Sequence, residues 1–133
     1  VFVGNWARSE YGRALRQRYS GESRLKLLDP IYDPAEVFRL RNSCVRYLHG
    51  HSVGGTNPSL VEILFFDCEI YCFDCSFNRT TAQDAAHFFS GADDLAKLLD
   101  APVAVAANRS AVRSRYTTPA IVTKLLAAFA LRR

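Results

Sequence analysis

The sequence contains no methionine, not even at its first position, and it has a single tryptophan. A chain that opens directly on Val1-Phe2-Val3 is expected to be a fragment or excised domain of a longer product. No apolar run approaches the roughly 20 residues needed to span a membrane, and no signal peptide is visible in these residues. Only four cysteines are present. That is too few, and too clustered, for a secreted disulfide scaffold, so a reducing, cytoplasmic setting is expected. Neither sign of charge dominates. Seventeen basic residues against thirteen acidic ones give a net charge of +4, which is no nucleic-acid signature. A mild positive balance suits nucleotides, phosphates or a lipid surface. Internal repeats, linkers and low-complexity stretches are also absent.

What is present is an ordinary globular composition. The 133 residues are 49% hydrophobic and 23% charged, enough for one domain or part of one with a real core. Strand-like and helix-like stretches alternate. Val1-Phe2-Val3 reads as a buried strand ending at Gly4. Ser9 caps a helix reaching about Tyr19, with Tyr11, Leu15 and Tyr19 at four-residue spacing. Leu25, Leu27 and Leu28 form a second strand, stopped by Asp29-Pro30. Asp33-Pro34 opens a helix that turns Val37 and Leu40 inward. Further strands are expected over 44–48, 69–74 and 87–89. Helices are expected over 58–66, 92–99, 103–113 and 119–131, with a loop or short helix over 76–84. The last helix gathers Ile121, Val122, Leu125, Leu126 and Phe129 on one face. This alternation predicts an α/β fold, a Rossmann-like parallel sheet with helices on both faces. Ligands bind at the carboxyl ends of such strands. That places interest on the loops at 4–6, 29–32, 49–57 and 74–79.

The richest of these loops begins His49-Gly50-His51-Ser52-Val53-Gly54-Gly55-Thr56-Asn57-Pro58. Asn57-Pro58 is a strong helix start, and Gly54-Gly55 allows backbone to come close to a ligand. Free N–H groups there attract phosphate, although a plain glycine turn before a helix has the same pattern. The helix that follows, Ser59-Leu60-Val61-Glu62-Ile63-Leu64-Phe65-Phe66, is apolar on almost every face and is therefore expected to be buried. Glu62 within it needs a partner. Either it closes a capping box with Ser59, or it accepts a pair of hydroxyls such as those of a ribose.

The string from His49 to Glu62, with Val3-Gly4-Asn5-Trp6, Ser9-Glu10-Tyr11-Gly12 and Ser76-Phe77-Asn78-Arg79, resembles a group of bacterial enzymes. These are the rhamnosyltransferase-like members of glycosyltransferase family 4, retaining enzymes of the GT-B class. The resemblance covers roughly residues 1–129, including Arg115-Tyr116-Thr117. It implies that residues 1–133 are a partial C-terminal nucleotide-sugar-binding domain, without its first strand and without the N-terminal acceptor domain. Such a fragment alone is expected to be inactive. The implied reaction transfers a hexose, with rhamnose favoured, from a nucleoside diphosphate sugar to a glycan or lipid-linked glycan acceptor in surface polysaccharide synthesis. By the same resemblance, Glu62 holds the donor ribose, while Gly55, Thr56 and Asn57 cradle the diphosphate. Ile31 and Tyr32 lie in the loop that holds the base. The family's first glutamate falls at Gly54, so contacts to the donor sugar must come from Ser52 or the neighbouring backbone. His51, with His49, has a positioning or hydrogen-bonding role in this loop, and Arg79 is a candidate phosphate contact. No catalytic residue, cofactor or metal is implied. Work on lipid-linked acceptors makes the arginines around the first helix a candidate peripheral membrane surface.

Three other readings compete. A non-catalytic nucleotide- or sugar-binding module would use the same loop. His49-x-His51 could share a metal ion, but His87 is the only other histidine and no nearby acid completes a set. Cys68-x3-Cys72-x2-Cys75 has the spacing of an iron–sulfur site, yet it overlaps a strand-like stretch, and a buried free cysteine is ordinary. Arg46, inside an apolar strand, and Trp6 have no evident partner from sequence.

Overall fold

The computed structural model describes residues 1–104 and 109–130. The fold is mixed α/β, and every strand pairing is parallel, as the alternating pattern predicts. A single continuous sheet is not what forms. The chain divides into two compact units, Val1–Leu40 and Arg41–Arg133, and the strands fall into a two-stranded and a three-stranded sheet. Alternating strands and helices dictate parallel pairing within each sheet, but they do not dictate that all strands join one sheet.

In the first unit, β1 (Phe2–Val3) pairs with β2 (Leu27–Leu28). The Trp6 indole N–H donates to the Leu28 carbonyl at 2.7 Å, so this side chain fastens the loop after β1 to the end of β2. Helix α1 (Glu10–Arg18) is capped by Ser9, whose Oγ accepts the Gly12 N–H at 3.0 Å. Gly12 is the one buried residue of α1. A Cβ there would meet the Trp6 carbonyl oxygen at 2.6 Å, so the helix can approach this loop only at a glycine. The contact turns Tyr11 outward, contrary to the expected apolar stripe. The expected burial of Val1, Phe2 and Val3 is also overturned, because all three are exposed. With α1 burying only Gly12, the unit has little apolar surface with which to cover two-residue strands.

Helix α2 (Pro34–Asn42) begins where Asp33 accepts the Ala35 N–H at 3.0 Å, and it runs across the boundary between the units. The second unit then orders β3 (Arg46–His49), β4 (Glu69–Phe73) and β5 (His87–Phe89) side by side. Between them lie α3 (Pro58–Ile63) and α4 (Ser76–Ala82), with a 3-10 turn at Gln83–Ala85. After β5 come α5 (Ala92–Asp100), α6 (Arg109–Ser114) and α7 (Thr118–Ala130). The part of the expected 103–113 helix at 105–108 lies outside the described residues, and Val103 and Ala104 are not helical. The apolar face of α7 is present, but Ile121, Val122, Leu125, Leu126 and Phe129 are all exposed.

Strand β4 is central and buried on both faces. Ile70 and Cys72 join Leu60 and Ile63 of α3, Leu64 just after it and Val112 of α6 in the core. On the other face Glu69 is buried, which is costly unless every oxygen is satisfied. It is satisfied. The carboxylate accepts from Arg46 Nε at 3.1 Å, Tyr71 OH at 2.7 Å and the Ala104 N–H at 2.5 Å. Arg46 in turn donates to the Leu99 and Ala101 carbonyls at 2.6 and 2.5 Å, closing the end of α5. The unexplained arginine of β3 thus has its partner one strand away. Helix α6 works in the same way on the core face. Arg109 donates to the Phe66 and Cys68 carbonyls, and Arg113 donates to the Leu64 carbonyl. Guanidinium groups thus meet carbonyls of the segment between α3 and β4.

Removing the Glu69 carboxylate should strand a guanidinium, a phenol and a backbone N–H at once. Glu69→Ala is expected to cost about 3–5 kcal/mol in urea unfolding, and Glu69→Gln distinctly less. Burial pushes the Glu69 carboxyl up, but the Ala104, Tyr71 and Arg46 bonds together hold it below its ordinary 4.5. Its contribution is therefore present above that pH and is lost as the pH falls through the folded value.

Candidate functional site

Because β3 and β4 are parallel, their carboxyl ends emerge at the same edge, and the loop at 50–57 leaves from there. Asn78, in the first turn of α4, ties this edge together. Its Nδ2 donates to the His51 carbonyl and to the Phe73 carbonyl, both at 2.9 Å. The Cys75 thiol lies 3.9 Å from the same His51 carbonyl. Asn78 is fully buried. Its role was not legible from sequence, because nothing local announces a carboxamide that bridges two strand ends. The loops after β3 and β4, flagged separately, are thus brought together.

His49 ends β3 with 1% of its surface exposed. Its ring stacks on that of His51, with centroids 4.8 Å apart and planes 21° apart, as expected for strand positions i and i+2. Burial first, and then the neighbouring His51, lower the His49 pKa from 6.5 to about 4, so the imidazole is neutral. Its Nε2 and the Oδ1 of Asn78 are buried without a hydrogen-bond partner. Two unmet polar atoms therefore lie in the residues that anchor the loop.

Above them the loop is open. Gly54 has φ +120°, a conformation that glycine permits, and Cβ atoms placed at Gly54 or Gly55 would meet nothing within 4 Å. Ser52, Gly54, Gly55 and Thr56 are all exposed. Asn57 is the N-cap, accepting the Ser59 N–H at 2.9 Å, so α3 starts at Pro58 and no capping box forms at Ser59.

The expectation that Glu62 lies inside a buried helix is overturned. Leu60, Ile63 and Leu64 are buried in the core and Phe66 packs against it, while Glu62 and Phe65 are exposed. The Glu62 side chain is 52% exposed and pairs with Arg41 at 2.5 Å. Burial cost is therefore no argument for a ligand at this carboxylate, though its position beside the loop is unaffected. Arg79 is likewise engaged. It forms a two-point pair with Asp74 at 2.5 and 2.6 Å and lies 4.5 Å from the centre of the Phe88 ring. Its bond to Asp74 holds that carboxyl below the usual range. Ile31 and Tyr32 belong to the first unit, where Tyr32 is 86% exposed.

Cys68 and Cys72 are core residues and Cys75 is half-buried. Among the described residues no group of three or more His, Cys, Asp or Glu side chains is placed to hold a metal ion. No described helix is long and apolar enough to cross a membrane.

His49 titrates near 6.5 when unfolded and near 4 in the fold, so falling pH protonates the unfolded chain first. Stability should be full above pH 6.5 and decline toward 4 by up to about 1.4 kcal/mol per unit. Urea midpoints from about pH 7 to about pH 5 should show the advantage of the natural protein over His49→Gln shrinking. An unchanged gap would contradict the buried neutral imidazole. Asn57→Ala should cost about 1 kcal/mol through loss of the α3 cap, read from the same curves. Comparison of the chain with protein-family models, with curated proteins and with solved structures returned no match.

Proposed function

We propose that the loop at 49–57, with Glu62, is the donor site of a retaining hexosyltransferase that takes a nucleoside diphosphate sugar. The observation that carries the reading is the loop itself. An open glycine pair with one residue at positive φ stands at the carboxyl edge of a parallel sheet, beside two unmet buried polar atoms. The resemblance of the His49–Glu62 string to the C-terminal half of family 4 GT-B enzymes supports the same reading.

In this reading the N–H groups of Gly55, Thr56 and Asn57 face the diphosphate and stabilise charge as it develops on the leaving group. Glu62 accepts the two ribose hydroxyls. Arg41 sets the direction of its carboxylate, and the exposure of that pair leaves room for exchange. Ser52 and His51 contact the sugar in place of the glutamate absent at Gly54. Arg79, already paired with Asp74, contributes to phosphate only by opening that pair. The acceptor is a glycan or lipid-linked glycan, rhamnose is the favoured sugar, and the setting is the cytoplasm at the inner face of the membrane. Gly54 specifically favours a second reading, a nucleotide- or sugar-binding module without turnover.

Titration calorimetry with uridine, guanosine and thymidine diphosphates tests the site. Binding of at least one is expected, weakened about tenfold or more in Glu62→Ala, a change of about 1.4 kcal/mol. Absence of binding, or affinity unaltered in Glu62→Ala, would sink the assignment. In the full-length product, release of diphosphate from the matching nucleotide hexose in the presence of a glycan acceptor separates the enzyme from the binding module.

A further inference from the structure

At the opposite edge of the same sheet lies a cluster that the donor-site reading does not use. Cys44 precedes β3 and Cys68 precedes β4. The bond from the Glu69 N–H to the Val45 carbonyl, 2.9 Å, and the pairing of Arg46 with Glu69 set Cys68 level with Val45, one residue from Cys44. Cys68 is 1% exposed and in the core, and Cys44 is half-buried and packs against that core. The Cys44 thiol donates to the Arg46 carbonyl at 3.1 Å, and the two thiols are near enough that each is the leading influence on the other's ionisation. Arg109, buried on α6, donates to the Cys68 carbonyl, and its Nε is buried without a partner. A positive charge thus sits against the inner cysteine, opposed only in part by the exposed Asp67 carboxylate.

We propose that Cys44 and Cys68 are a peroxide-oxidisable pair that closes to a disulfide across the amino ends of β3 and β4.

The neighbouring Cys68 thiol is the largest influence on Cys44 and lowers it from the ordinary 9.0, while Cys68 is raised. The more accessible cysteine is therefore the attacking thiolate, and the buried one is the resolving thiol. The Cys44 thiolate attacks one oxygen of hydrogen peroxide. The O–O bond breaks, and the departing hydroxide takes a proton to become water, leaving Cys44 as the sulfenic acid. The Cys68 sulfur then attacks the Cys44 sulfur. The S–O bond breaks, and hydroxide leaves with the Cys68 proton as a second water. The two thiols supply the two electrons that reduce the peroxide. Arg109 favours the second step by stabilising negative charge on Cys68. Cys72 does not compete as an attacking group, because burial pushes its thiol up to about 12.

The test treats the folded chain with a few-fold excess of hydrogen peroxide, quenches it, alkylates it in denaturant and maps the peptides by mass spectrometry. All four cysteines should alkylate before treatment. Afterwards two fewer should do so, with a dithiothreitol-reversible peptide bridge between Cys44 and Cys68. In Cys44→Ser the bridge should vanish and Cys68 should alkylate fully. The principal readout is on the unaltered chain, so it does not depend on a variant folding. Four alkylated thiols after treatment, a bridge between Cys72 and Cys75, or oxygen additions without a bridge would each overturn the proposal.

Discussion

The carboxylate of Glu69 is the point on which the second unit turns. A charge inside a sheet is tolerable only when its oxygens are fully engaged and a counter-charge is close. Here Arg46, Tyr71 and the Ala104 N–H supply that engagement. The consequence reaches beyond β4. Arg46 is on the neighbouring strand and also holds the Leu99 and Ala101 carbonyls, so one buried acid fixes a strand pair, the end of α5 and the chain that follows. On the other face Arg109 and Arg113 collect the carbonyls after α3. Charged groups thus sit on both faces of an apolar core, with Glu69 fully engaged and Arg109 held by carbonyls.

This construction gives the sheet two edges with different chemistry. The amino edge is closed by arginines, a packed core and a pair of thiols. The carboxyl edge is held by one buried carboxamide, Asn78, and one neutral imidazole, His49, each with an atom unmet. Unmet buried polar atoms are uncommon, and each asks for a reason. Their position beneath an exposed glycine loop gives one, because a bound polar ligand or an ordered water would satisfy them.

Much of this was legible in the residues, and the failures have definite causes. Strand and helix identity followed from periodicity, and Asn57-Pro58 marked the start of α3 to the residue. The histidine pair was placed correctly because strand alternation is local geometry. Glu62 was misread because a short helix of mostly apolar residues hides which of them face inward. Its partner, Arg41, is far away in sequence and is found only by folding. Arg46 looked orphaned for the same reason, since cross-strand pairing joins it to Glu69. The split into two sheets was not legible either. Two-residue strands carry too little pattern to say which neighbours they join, and the close approach at Gly12 is a tertiary fact.

A donor site at residues 52–57 requires the backbone amides there to meet the nucleoside diphosphate. Backbone amide resonances followed by NMR during titration with such a diphosphate read that contact directly. The account predicts that the amides of Gly54, Gly55, Thr56 and Asn57 shift together and saturably, with the His49 and Asn78 side-chain signals following. Shifts confined to other surfaces, or a loop whose resonances do not move at saturating nucleotide, would contradict it.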